Sequence, residues 1–255
     1  MSRFLSSENK FFSTMSKIFD LMLLSIMWMA FSCAGLLFIG GMAANNVVAS
    51  GSGAYAGVIV LGGLITALVG PASTAFYYTM VKVIRRERSY LFKEFFRSFR
   101  LNFKQGYILG IVYVILAFVA YFDFTYALDI AKEGEKMGSM LFGAFLVLGL
   151  FAVFSVIYIF PLLSRFTVTT LNLIKWSFFM SIRHIGWTLV LGVLFIGSAF
   201  ILWGTVTYGM APIAVFVPGI YTLVASFPIE RIFKKYMPVE EVPDEESGID
   251  HWYNE

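Results

Sequence analysis

The sequence predicts an all-α fold: a polytopic membrane protein with six transmembrane helices and two cytoplasmic interfacial helices. Composition gives the first reason. Of 255 residues, 59% are apolar and only 14% charged, where a soluble domain carries about 25% charged residues. The second is where the charges are missing. No Asp, Glu, Lys or Arg occurs in the 61 residues between Asp20 and Lys82, the 28 between Lys136 and Arg165, or the 46 between Arg183 and Glu230. A helix needs about 20 apolar residues to cross a hydrocarbon core, so each gap holds one or two spans. The third is the side on which the cations fall. With both termini together, that side holds 17 of the 19 Lys and Arg residues, leaving only Lys132 and Lys136 opposite. Short basic loops stay in the cytoplasm, so both termini are predicted inside a bacterial cytoplasmic membrane.

The first span is expected from about Leu21 to Ala43. Ala30-Phe31-Ser32-Cys33 has some flavour of a lipoprotein cleavage site. Phe31 is bulky, however, and the apolar run continues past Cys33, so this span is expected to stay. Asn45, Asn46 and Ser50 to Gly53 form a turn-rich break. The second span runs from about Ala54 to Met80 and contains Gly70-Pro71. A polar, basic stretch over 82–105 follows. The third span is short, about Tyr107 to Tyr121, with Asp123 at its outer end. A loop with Asp129, Lys132, Glu133, Glu135 and Lys136 leads to the fourth span, about Met140 to Leu163, with Pro161 near its end. Phe166 to Ile182 carries Lys175 at its middle, which costs roughly 2.5–3.5 kcal/mol inside a bilayer, so it reads as a surface helix. The fifth span, Trp187 to Val206, and the sixth, Ile213 to Phe227, flank the turn at Thr207 to Pro212. Residues 1–239 thus form one membrane domain. Residues 240–255 carry seven acidic and no basic residues and are expected to be a disordered tail.

The stretch from Arg85 to Lys104 carries the richest pattern. Phe92, Phe95, Phe96, Phe99 and Phe103 recur every three or four residues, with Lys93, Arg97, Arg100 and Lys104 as a second stripe. Such a helix can lie in the interface, with phenyl rings at the acyl boundary and cations at anionic lipid phosphates. It reads either as an elbow that holds two spans or as a docking site for a partner or lipid. Arg165, one turn beyond Pro161, is a further candidate for phosphate contact. Gly70, Pro71 and Pro161 are candidate helix breaks, each either a packed kink or the lining of a solute path. A weak internal echo pairs the two proline-bearing spans, each followed by a basic surface helix.

Other signals are negative. One cysteine, Cys33, excludes an internal disulfide. The sequence contains no His-Glu-x-x-His, no Gly-x-x-x-x-Gly-Lys loop and no Gly-x-Ser-x-Gly elbow, and the two histidines, His184 and His251, lie in a surface segment and in the tail. The net charge of +3 reflects a strongly basic predicted cytoplasmic face offset by the acidic tail and is no sign of nucleic acid. No enzymatic activity, metal or cofactor is predicted, and the charge-free spans argue against ion-coupled transport.

GPASTAFYYTMVKVIRRERSYLFKEFFRSFRLNFKQG, Gly70 to Gly106, and FPLLSRFTVTTLNLIKWSFF, Phe160 to Phe179, resemble the signatures of the YesL-like family of bacterial membrane proteins. The resemblance implies a six-span helical protein, mostly from Gram-positive bacteria, with no established activity. It also implies genes near carbohydrate uptake systems and membrane sensor kinases. The expected function is therefore an accessory subunit of a carbohydrate importer of the ATP-binding cassette type. A channel for a neutral solute and a partner of a sensor kinase are the alternatives.

Overall fold

The computed structural model describes residues 14–32, 34, 54–85, 90–132 and 136–236, and every regular element among them is helical. The elements are α1 (Thr14–Ser32), α2 (Ala54–Thr66), α3 (Val69–Thr79), a π-helical turn (Met80–Arg85), α4 (Leu91–Leu101), α5 (Phe103–Lys132), α6 (Lys136–Arg165), α7 (Thr170–Arg183), α8 (Ile185–Thr207), α9 (Ala211–Ala214) and α10 (Phe216–Phe233). Six helical stretches are long and apolar enough to cross a membrane: Thr14–Ser32, Val60–Arg85, Phe103–Lys132, Met137–Arg165, Ile185–Thr205 and Pro212–Phe233. The chain is a multi-pass membrane protein. Its outward helix faces fit that solvent, for Val193, Phe200 and Trp203 are each at least 70% exposed on α8. Trp187 and Trp203 mark the two ends of α8, where amphipathic rings favour the headgroup level.

Several spans run further than the sequence predicts. The first described span starts at Thr14 rather than Leu21 and so includes Lys17 and Asp20. The third is a helix of 30 residues, Phe103–Lys132, not a short one ending at Tyr121. Asp123 lies half-buried on it, 20 residues and so about 30 Å along the axis from Phe103, close to the thickness of a hydrocarbon core. The expected loop around Asp129 and Lys132 is helical because its residues suit a helix, and Lys132 pairs with Asp129 across one turn at 2.9 Å. Pro161 and Pro228 lie inside α6 and α10, and neither ends its helix. The sixth span therefore continues past Phe227 and takes in Glu230. The break at Asn45 to Gly53, Cys33 and the tail over 240–255 lie outside the described residues.

The helix break of the second span falls at Ala67-Leu68, just before Gly70-Pro71. Pro71 has no N–H for the Ala67 carbonyl, which accepts from Gly70 N instead at 3.1 Å. That tightened turn meets α5 at Gly106-Tyr-Ile-Leu-Gly110. A β-carbon on Gly110 would overlap the Ala67 carbonyl oxygen, and one on Gly106 would press into Pro71. Small residues at a four-residue spacing let two backbones touch. Gly70-Pro71 is packed against α5, where a β-carbon on Gly70 would overlap the Gly106 carbonyl oxygen. A second close approach sets Gly219 of α10 against Leu21 and Ser25 of α1.

Two apolar clusters hold the bundle. One joins Leu21 and Leu24 of α1 to Ala75, Phe76 and Met80, and to Leu91 and Phe95 of α4. The other joins Tyr77, Leu109, Tyr158, Leu162, Leu173, Leu191, Ile229 and Phe233. The surface helix α7 buries Leu173, Ser177 and Met180, one helical stripe, and leaves Lys175 exposed. At 14 residues it is too short to cross a bilayer, as expected from its central lysine. Gly209 has φ of +71° in the turn before α9, a conformation glycine adopts without strain.

Candidate functional site

The basic ends of α3, α6 and α10 converge with the elbow helix α4 and with the linker 166–169. Their polar groups form one connected region. The first elbow is fixed by its own sequence: α4 turns a stripe of Leu91, Glu94, Phe95 and Ser98 inward. Phe95 is fully buried and Phe99 stacks on Phe31 of α1 with ring centroids 4.9 Å apart. Phe92, Phe96 and Phe103 stay exposed, so the phenyl stripe divides between bundle and lipid. Glu94, an acid in the middle of the buried stripe, accepts from Lys82 Nζ at 2.7 Å. The π-turn widens the helix by a residue per turn and sends Lys82 and Arg85 to different neighbours. Arg85 donates to the Ser226 carbonyl at 2.9 Å and lies over the Phe227 ring at 4.2 Å.

Beside it, Arg165 Nε donates to Glu230 Oε1 at 3.0 Å, and the Tyr77 hydroxyl donates to the same oxygen at 3.1 Å. Arg165 and Glu230 are both largely buried, and Arg165 Nη2 is buried with no hydrogen-bond partner among the described residues. Burying such a pair is tolerated only because each partner neutralises the other. Arg165, a candidate for contact with lipid phosphate or for capping carbonyls, pairs with an internal carboxylate.

Among the described residues, three cavities lie near this pair, the smallest of about 260 Å³ lined by Glu230 with Arg85, Phe227, Arg231 and Lys234. A polar one of about 600 Å³ lies between α4 and the 166–169 linker, lined by Tyr78, Arg97, Asn102, Gln105, Arg165 and residues 166–169, among others. Gln105 Nε2 donates to the Val168 carbonyl at 3.0 Å and ties the start of α5 to that linker. The third cavity, of about 360 Å³, lies inside the bundle among Trp28, Phe76, Tyr77, Phe160, Phe195 and Tyr221. Pro161 lines it and Gly70 does not. Its wall is nearly dry of free polar groups. Trp28 Nε1 donates to Ser73, Ser198 to the Phe195 carbonyl and Tyr77 to Glu230. Tyr77 borders the inner cavity and Arg165 the polar one, so their shared carboxylate, Glu230, stands between the two.

Of the sequence-predicted residues, Arg97 and Arg165 come together around the polar cavity. Lys93, Arg100 and Lys104 are exposed and do not line it. Glu94, Glu230 and Tyr77 were not singled out. Glu94 had a signal, since it shares a helical face with Leu91 and Phe95. Glu230 had a weaker one: a lone acid closing the last charge gap, two residues after Pro228. Nothing in sequence links it to Arg165, 65 residues away.

Residues 21–124 match a family model described as "Protein of unknown function, DUF624". The matched stretch runs from α1 through the first elbow and most of α5. No curated protein and no solved structure matches the chain.

Proposed function

We propose that this chain is a non-enzymatic accessory subunit of a carbohydrate importer of the ATP-binding cassette type, set in a bacterial cytoplasmic membrane with both termini inside. The reading rests on the anchored elbow. Glu94 and Phe95 fix one face of α4 in the bundle, and Lys93 and Arg100 stand exposed on the other. A rigid basic face that needs no rearrangement is suited to binding a partner at little entropic cost. The elbow's resemblance to the YesL-like family, within the stretch that matches DUF624, motivates the link to carbohydrate uptake.

Tagged protein from native membranes tests it. Importer subunits are expected at stoichiometric yield with the unaltered chain, and lost from the Lys93→Glu/Arg100→Glu double variant at unchanged expression. Recovery of the chain with no transporter subunit would falsify it. Reporter fusions after Ser52 and Glu135 are expected to read external.

The inner cavity favours a second reading, passage of a neutral solute. Tyr221 and Thr222 are its only lining hydroxyls with no hydrogen-bond partner among the described residues. Two hydroxyls are few for a sugar, whose polar groups each need a partner. The cavity suits a more apolar solute, and flux in proteoliposomes decides between the two readings.

A further inference from the structure

The polar cavity between α4 and the 166–169 linker is lined by charge of one sign. Arg97 and Arg165 face it, and no carboxylate lines it. Arg97 makes no ion pair or hydrogen bond among the described residues. Arg165 gives its Nε to Glu230, keeps 15% of its side chain exposed and lines the cavity. An anion there would add a second partner to the guanidinium group. Helix ends do not set the sign here. The helices α5 and α7 begin at the cavity while α4 and α6 stop there, so their dipoles oppose. The guanidinium groups decide.

The rest of the lining selects among anions. Asn102 and Gln105 commit their N–H₂ groups to the Ser98 and Val168 carbonyls. Their side-chain oxygens can therefore accept from hydroxyl donors. Thr167 and Thr169 add hydroxyls with no hydrogen-bond partner among the described residues. We propose that this cavity binds a polyol phosphate ester, its phosphate held by Arg97 and Arg165 and its hydroxyls by the amide oxygens of Asn102 and Gln105. A volume of about 600 Å³ accommodates a glycerophosphate-sized or sugar-phosphate-sized group. Planar guanidinium groups suit phosphate because they donate two parallel hydrogen bonds. The same chemistry is offered by a phosphatidylglycerol headgroup and by a soluble polyol phosphate.

Native mass spectrometry of the full chain in detergent tests the site with phosphatidylglycerol, phosphatidylcholine, glycerol 3-phosphate and inorganic phosphate as probes. Phosphatidylglycerol or glycerol 3-phosphate is expected to bind, and Arg97→Gln to weaken it about tenfold, the loss of one charge-assisted contact. Arg97 is exposed, so this variant is expected to fold. Lys93→Gln and Arg100→Gln, away from the cavity, are expected to stay within about twofold. Displacement of the lipid by glycerol 3-phosphate identifies the soluble ester as ligand; retention of the lipid against it identifies the headgroup. Equal losses in all three variants would reveal a diffuse basic surface and overturn the site. So would phosphatidylcholine binding as well as phosphatidylglycerol, inorganic phosphate binding as well as glycerol 3-phosphate, or no binding at all. Importer capture depends on Lys93 and Arg100 and this site on Arg97, so the two proposals fail separately.

Discussion

Arg165 at the end of α6 and Glu230 in the last turn of α10 share a hydrogen-bonded ion pair at 3.0 Å, both largely removed from solvent. The pair joins two spans that are far apart in sequence, and Tyr77 of α3 completes it from a third. It sits where the bundle changes from apolar interior to basic end.

Breaking that pair leaves one charge buried alone. Arg165→Met and Glu230→Leu are each expected to cost about 3–5 kcal/mol. The double variant is expected to recover much of that loss, because no orphan charge remains. Thermal unfolding of the full chain in detergent checks this. Additive losses would mean that the two side chains do not depend on each other.

The contact of α5 with the helix break leaves no room for a side chain. Gly110→Ala is expected to push α5 from the Ala67 carbonyl and lower the melting temperature by several degrees. Gly143→Ala, where a β-carbon meets nothing within 4 Å, is the matched control. It is expected to be neutral or slightly stabilising, since alanine favours helix over glycine.

Glu94 fixes the elbow from within. Glu94→Gln keeps the shape but removes the charge that Lys82 pairs with at 2.7 Å. Amide exchange over 91–101 is expected to rise at least several-fold while α5 and α6 stay protected. Unchanged exchange in α4 would show that Phe95 and Leu91 suffice to hold it.

The junction of α7 and α8 is expected to weaken in acid. Burial, helped by repulsion from Lys235 and Arg183, lowers the His184 pKa from its usual 6.5. Between the lowered value and 6.5 the unfolded chain binds more protons than the folded one, so stability falls as pH drops through that window. Protonation also changes the contact of His184 Nε2 with the Tyr236 hydroxyl at 3.0 Å. A melting curve measured from pH 7.5 to 5 is expected to lose this component in His184→Gln. An unchanged pH slope in that variant counts against the assignment.

Much of the fold was legible because a bilayer imposes strong rules on sequence. Charge gaps marked five of the six spans, the lysine at position 175 kept α7 out of the membrane, and the Thr-Tyr-Gly-Met stretch at 207–210 made its turn. Span ends were less legible. Charges near a headgroup cost little, so Asp123, Asp129 and Glu230 did not stop their helices. The phenyl stripe of the elbow was visible, but its division was not. Which rings enter the bundle depends on Phe31 and the α3 surface, which only packing supplies. Of the candidate cations, sequence periodicity placed four on one stripe, yet only Arg97 lines the cavity with Arg165.

By itself, the sequence determined that the chain is helical, crosses a membrane six times and gathers its cations at one end. Those are consequences of transferring each segment into hydrocarbon, a cost summed residue by residue along the chain. The tertiary structure alone decided that Arg165 pairs with Glu230, that Gly106 and Gly110 close on a helix break, and that a polar cavity forms between α4 and the 166–169 linker. Those outcomes turn on distances between segments tens of residues apart, where a buried charge must find its partner in three dimensions.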